Sequence, residues 1–190
     1  MKLILASNSK TRIKLLKAAK IQFETESHGV DEDEVKQSLL AEGANPLVIS
    51  KNLAELKANR VSQKINNSLV LGADSVIDLS GELISKPESR DEALSILKKL
   101  NGKTHSLISS VCISKNAAMI WNYSDTSELK MKNLSDKELS SYLTKIETKT
   151  LLAYGVYQIE ADGMELFEYV RGDKDSIMGL PVKQIIDYIK

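Results

Sequence analysis

This sequence has almost nothing with which to staple itself together. Cys112 is its only cysteine, so an internal disulfide is excluded. Its place in the alternating apolar run Ser109-Ser110-Val111-Cys112-Ile113 marks it as a small core residue. The two histidines, His28 and His105, lie far apart, and neither a His/Cys spacing for zinc nor a Ser/His/Asp order stands out. His105, just after Gly102-Lys103-Thr104, reads as a structural hydrogen-bonding residue at a strand start. Net charge is lacking too. The 26 Lys plus Arg balance 26 Asp plus Glu, which argues against a nucleic-acid partner but leaves room for a local basic pocket that takes a small polyanion. The apolar opening Met1-Lys2-Leu3-Ile4-Leu5-Ala6 stops at Ser7, too short for a signal-peptide core or a membrane span, so the protein is read as cytoplasmic with no membrane partner. There is no low-complexity tract, internal repeat or long linker, and no Gly-x-x-x-x-Gly-Lys-Ser/Thr, so a P-loop is excluded.

What remains is an ordinary globular composition, 42% hydrophobic and 27% charged. A chain of 190 residues suffices for one domain, and at this size roughly 70% of the unfolded surface is buried on folding. The pattern opens with a strand at Leu3 to Ala6, a helix from about Lys10 to Ala19 and a strand near Ile21 to Glu26. An acidic loop at Val30 to Glu34 follows, then a long helix starting at Pro46 with Leu47, Ile49, Leu53, Leu56 and Val61 as its apolar positions. Leu69 to Ile77 reads as a strand that turns at Ser80-Gly81 into a hairpin. Ser89-x-x-Glu92 and Ser135-x-x-Glu138 have capping-box spacing and open two further helices. Strands near 104–114 and 119–131 pair across Lys115-Asn116-Ala117. Then come a strand around Met164 to Val170, a Gly/Asp-rich loop and a last helix from Pro181. Alternation interrupted by hairpins predicts an α/β or α+β fold with a mixed sheet.

Three places can carry chemistry. Ser7-Asn8-Ser9-Lys10-Thr11-Arg12 sits between a strand and a helix, where free N–H groups, hydroxyls and cations suit phosphate oxygens. The helix dipole alone contributes only about 0.3–1 kcal/mol to an anion, so a polyphosphate also needs side-chain cations or a metal. Asp74 interrupts the apolar strand from Leu69, and a buried carboxylate requires a partner: a metal, a cation or a backbone amide. Lys86, before Pro87, is placed to return near the same sheet end. Glu32, in the acidic run, joins Asp74 as a candidate ligand for a hard cation such as Mg²⁺, which takes one or two carboxylates plus phosphate oxygens. Lys57, on the long helix, reads by itself as a surface residue.

In order along nearly the whole chain these segments resemble the Maf family. Leu3-Ile4-Leu5-Ala6-Ser7-Asn8-Ser9 is similar to its opening strand and Ser-x-Ser-Pro-Arg-Arg, and Val30-Asp31-Glu32 to its Asp-Ile-Asp-Glu. Ala54-Glu55-Leu56-Lys57-Ala58 resembles Ala-x-x-Lys-Ala, Gly72-Ala73-Asp74-Ser75 resembles Gly-Ala-Asp-Thr, and Ser85-Lys86-Pro87 resembles Gly-Lys-Pro. Gly102-Lys103-Thr104-His105 fits as well, and Gly172-Asp173 with Gly179-Leu180-Pro181 matches the closing pattern. The resemblance implies a single domain over residues 1–190, an elongated mixed sheet in two lobes with a central cleft akin to inosine triphosphate pyrophosphatases, and a homodimer. It implies metal-dependent hydrolysis of nucleoside triphosphates to monophosphate and pyrophosphate. Carried over by position, Ser7, Ser9, Arg12, Lys57 and Lys86 would hold phosphates, with Gln158 and Glu160 as further substrate contacts. Asp74 and Glu32 would serve Mg²⁺ or Mn²⁺ and the attacking water, with Lys57 and Lys86 completing the catalytic set.

Two departures bear on substrate. Lys10 and Thr11 stand where the family has Pro and its first Arg. The segment Ala153 to Glu160 lacks the pyrimidine-type pattern; Tyr157 and Glu160 are more like a branch some of whose members take methylated guanosine triphosphate. Which carboxylate is base and which is ligand stays open at this stage. The alternatives to pyrophosphate release are a nucleotide-binding regulator of septum formation with little turnover and a phosphatase that removes the terminal phosphate.

Overall fold

A computed structural model of the chain describes residues 2–159 and 162–190. In chain order its elements are β1 (Leu3–Leu5), α1 (Lys10–Ala18), β2 (Glu24–Thr25), α2 (Glu32–Ala41), α3 (Pro46–Ser62), β3 (Leu69–Leu79), β4 (Glu82–Ile84) and α4 (Arg90–Leu100). There follow β5 (Thr104–Lys115), β6 (Ala118–Met131), α5 (Asp136–Thr144), α6 (Thr148–Tyr154), a 3₁₀ turn at Asp162–Leu166, β7 (Phe167–Arg171), α7 (Lys174–Ile177) and α8 (Val182–Ile189). Among the described residues the sheet order is β2-β1-β3-β5-β6-β7, with β4 also on β3. The β1 strand pairs parallel with β2 and β3, whereas β3–β4 and β6–β7 are antiparallel. The expected mixed α/β sheet is therefore present.

The chain forms two compact units. The first comprises Met1–Val76, Ile108–Thr126 and Asp173–Lys190; the second comprises Ile77–Leu107 and Ser127–Gly172. The strands β3, β5 and β6 contribute residues to both.

In the first unit, strand alternation sends successive side chains to opposite faces. Leu3, Leu5, Leu71, Ala73, Val111 and Ile113 pack with Leu15 and Leu16 of α1 and Ile185 of α8. Ile4, Ala6, Val70 and Cys112 face Ala54, Ala58 and Val61 of α3. Gly72 lies on this second face, where an added Cβ would stand 2.1 Å from the Ala54 carbonyl oxygen and 2.7 Å from the Ala58 nitrogen. The missing side chain is what lets α3 lie directly on the strand.

Local signals decide most helix starts. Asn45 accepts the Val48 N–H at 2.9 Å with Pro46 in the first turn, and Ser135 and Glu138 complete a reciprocal capping box. The acidic stretch read as a loop is instead the start of α2. Asp31 caps it by accepting the Glu34 N–H at 3.1 Å, and Glu32, Asp33 and Glu34 occupy the first turn, where negative charge is favoured by the helix dipole. The short helices α6 and α7 were also not expected.

The second unit has its own core, in which Leu97, Leu100, Leu129, Met131, Leu139 and Phe167 are among the buried side chains. His105 is buried there, its Nε2 2.8 Å from the Tyr157 hydroxyl. Burial lowers the imidazole pKa to about 4.

Two outcomes are expected. Gly72→Ala must push α3 away from β3 and lower stability by about 1–3 kcal/mol or more, read as a reduced urea midpoint; an unchanged midpoint contradicts the contact. For His105, the unfolded chain binds a proton below its ordinary pKa of about 6.5, whereas the folded chain does so only near 4. The unfolded state then holds more protons in that window, so stability falls as pH drops through it, by roughly 3 kcal/mol in all. Urea midpoints from pH 7 to 4 should show a slope shallower by about one proton in His105→Gln than in the wild type.

Candidate active site

Asp74 is on the Gly72 face of β3, two residues further along, and Lys57 lies on α3 between Ala54 and Ala58, the residues closest to Gly72. The close helix–strand approach therefore drives a lysine onto a carboxylate. Lys57 is 2% exposed and Asp74 4% exposed. The Lys57 Nζ donates to Asp74 Oδ1 at 2.8 Å, lies 3.0 Å from Glu32 Oε1, and reaches the Ala73 carbonyl at 3.5 Å. An ammonium has three N–H donors, and these contacts account for them. Lys57 is thus a buried clamp between two carboxylates rather than the surface residue its helix position by itself suggested.

Asp74 Oδ2 is buried with no hydrogen-bond partner among the described residues. The Asp74 backbone carbonyl accepts from Ser50 Oγ, a fully buried hydroxyl, at 3.3 Å. Glu32 is half-buried at the first turn of α2. Close to it, His28 Nε2 lies 3.7 Å from Glu32 Oε1, while His28 Nδ1 accepts the Val30 N–H at 3.0 Å. Burial and then the Lys57 charge lower the His28 pKa, which favours the neutral ring.

On the opposite face of the sheet, the strand-to-helix loop supplies the third part of the site. Ser7 is buried, and its Oγ accepts the Ser9 N–H at 3.2 Å. Ser9 caps α1 through the Arg12 N–H, 3.4 Å away. The Arg12 side chain turns back into this loop. Its Nε donates to the Gly179 carbonyl at 3.0 Å, Nη1 to Ser7 Oγ at 3.4 Å and Nη2 to Ser75 Oγ at 3.3 Å. Burial lowers its pKa, against the opposing attraction of Asp74 and Glu32.

The first unit therefore brings together Ser7, Ser9, Arg12, Glu32, Lys57 and Asp74. Lys86, exposed after β4, and the half-buried Gln158 belong to the second unit. Glu160 lies outside the described residues. Sequence reasoning passed over Ser50, Ser75 and Ser109. Their signal is a hydroxyl at a buried or half-buried position in an apolar pattern, which must find a partner. Lys57 also left a trace, since it stands in the stripe Leu53, Ala54, Ala58 and Val61 at helical spacing.

Replacing Lys57 with Met should strand Asp74 as an unpaired buried charge and cost about 3–5 kcal/mol. Replacing both, Lys57→Met with Asp74→Leu, should recover most of that loss, because no buried charge is then left unpaired. Urea unfolding of the two variants checks this; a single variant as stable as the double one would refute the clamp.

The model of the Maf-like protein family matches residues 2–190. A nucleoside triphosphate pyrophosphatase of Pelagibacter ubique is 60% identical over 188 residues, which is 99% of this chain and 96% of that protein. A 7-methyl-GTP pyrophosphatase of Rhizobium meliloti is 35% identical over 188 residues, 99% of this chain and 94% of that one. Among solved structures, a nucleoside-triphosphatase, or dITP/XTP pyrophosphatase, of Mycobacterium abscessus aligns over 100% of this chain and 93% of its own at 11% identity, with a TM-score of 0.48. A family match across residues 2–190, together with close relatives along nearly the whole length, places this chain in the Maf family.

Proposed function

We propose that this protein hydrolyses nucleoside triphosphates to the monophosphate and pyrophosphate with the help of a divalent metal ion. The observation that carries the reading is Asp74: a buried carboxylate with one oxygen pinned on Lys57 and the other without a hydrogen-bond partner, in reach of the charge of Arg12. The names of the relatives, nucleoside triphosphate pyrophosphatase and 7-methyl-GTP pyrophosphatase, support the same chemistry.

The donor set fits a hard divalent cation. Two carboxylates converge on one ammonium, and Arg12 adds a second positive charge, so the cluster is close to neutral before a polyanion arrives. A triphosphate would need further positive charge, and Mg²⁺ or Mn²⁺ takes carboxylate, phosphate and water oxygens together. Glu32, half-buried, would be its main anchor, with Asp74 adjoining it. When bound, such an ion lowers the pKa of water and offsets phosphate charge.

The residues of the chain divide the remaining work. The Ser7–Arg12 loop and the Arg12 guanidinium bind phosphate oxygens through N–H and O–H donors. Lys57 fixes both carboxylates. Asp74 Oδ2 orients a water and takes its proton as the water oxygen attacks the α-phosphorus; the bond from that phosphorus to the bridging oxygen breaks, and pyrophosphate leaves. Holding the acceptor oxygen in place before reaction is how such sites lower barriers. Methylated nucleotides are included in the substrate class on the strength of the 7-methyl-GTP pyrophosphatase relative.

Asp74→Asn keeps a similar volume and should remain folded while losing pyrophosphate release by about a hundredfold or more, the range expected when a general base is removed. The test measures pyrophosphate against orthophosphate from a panel of ordinary and methylated nucleoside triphosphates with Mg²⁺. Orthophosphate as the main product, or full pyrophosphate release by Asp74→Asn, contradicts the proposal.

A further inference from the structure

Arg12 is held by a chain of hydroxyls whose direction can be worked out by counting hydrogens. Ser109, on β5, is 1% exposed, and its Oγ donates to the Ser176 carbonyl at 2.7 Å. A serine hydroxyl has one hydrogen and two lone pairs. With its hydrogen committed to Ser176, Ser109 can only accept from Ser75 Oγ, 3.0 Å away. Ser75 is therefore the donor in that pair, and toward Arg12 Nη2 at 3.3 Å it presents lone pairs alone. A guanidinium only donates. The chain runs one way, from the Arg12 N–H to Ser75, from Ser75 to Ser109, and from Ser109 to the Ser176 carbonyl.

The far end of the chain is itself fixed. Asp173 caps α7 by accepting the Ser176 N–H at 2.9 Å, so the Ser176 peptide is tied on its nitrogen side as well. Three residues on, Gly179 turns at φ +97 and gives its carbonyl to Arg12 Nε. A Cβ at Gly179 would sit 3.2 Å from Ser75 Oγ and 3.8 Å from Arg12 Nε, against both members of the arrangement. One C-terminal segment thus holds the guanidinium twice, directly through Gly179 and indirectly through Ser75 and Ser109. With Nη1 on Ser7, the second N–H of each terminal nitrogen is left by these bonds.

We propose that Ser75 and Ser109 are positioning residues, a one-way hydroxyl relay that orients the Arg12 fork so that its remaining N–H groups meet the polyphosphate of the substrate. The proposal rests on the triphosphate reading above, because it takes Arg12 to be a phosphate ligand. A purely structural role, in which Ser109 merely satisfies a buried carbonyl, makes a different forecast: its loss would act on stability alone and independently of Arg12.

The test is a double-mutant cycle read on the affinity of the full-length protein for inorganic tripolyphosphate with Mg²⁺, by titration calorimetry. Ser109→Ala should weaken binding about two- to tenfold, the scale of one hydrogen bond, and Ser109→Thr, which keeps the hydroxyl, should restore it. In an Arg12→Lys background, which has no planar fork to orient, Ser109→Ala should change affinity by less than about twofold. If Ser109→Ala does not fold, Ser75→Ala against Ser75→Thr carries the same cycle while leaving the Ser109–Ser176 bond in place. Equal losses in both backgrounds, no loss in the background that keeps Arg12, or a wild type that does not bind tripolyphosphate would overturn the relay. Pyrophosphate release from nucleoside triphosphates is measured on the wild type alongside. Release with an additive cycle sinks the relay and leaves the activity standing; a coupled cycle without release does the reverse.

Discussion

The buried ion pair between Lys57 and Asp74 is the constraint around which the first unit is organised. Neither charge can be removed from water alone without a penalty of several kcal/mol. The pair is tolerable because Lys57 finds an acceptor for each of its N–H groups, including the second carboxylate of Glu32. This places demands on backbone packing. Gly72 provides the clearance that lets α3 lie directly on β3 beside this pair. The small residues Ala54 and Ala58 on the facing surface of α3, both fully buried, meet the same requirement. The charge cluster and the glycine are one device seen at two levels.

Strand geometry explains why two consecutive residues serve different halves of the site. Asp74 and Ser75 are neighbours on β3 and therefore point to opposite faces of the sheet. Asp74 meets α3 on one side, and Ser75 meets Arg12 and, through Ser109 and the Ser176 carbonyl, the C-terminal segment on the other. Arg12 and Asp74 still feel each other's charge. A short stretch of one strand thereby couples an acid and a cation that arrive from distant parts of the chain.

Much of this could be read before any coordinates, and what could not has identifiable physical causes. Helix starts with side-chain caps, such as Ser89, Ser135 and Pro46 after Asn45, were legible because the signal lies within four residues. The start of α2 was legible in principle, since Asp31 and Glu34 have capping spacing, but a run of four acidic residues looks like a solvated loop unless the helix dipole is weighed. The helices α6 and α7 are short; α6 has no side-chain cap and contains two β-branched threonines. At the site, the identity of the candidate acids and cations came from motif order, whereas their pairing did not. No local pattern says that Lys57 turns inward, because its partners Asp74 and Glu32 lie seventeen and twenty-five positions away and in other elements. The Ser75–Ser109 contact is equally non-local, joining two strands and the C-terminal segment.

The burial of Lys57 has a consequence for recognition. A free lysine side chain samples many rotamers, and freezing them costs roughly 2 kcal/mol. In this protein that loss of freedom is incurred when the chain folds, since Lys57 is enclosed and triply bonded. On the proposed function, an incoming ligand would meet carboxylates already locked in register and would have no lysine to immobilise, so more of its contact energy would survive as affinity.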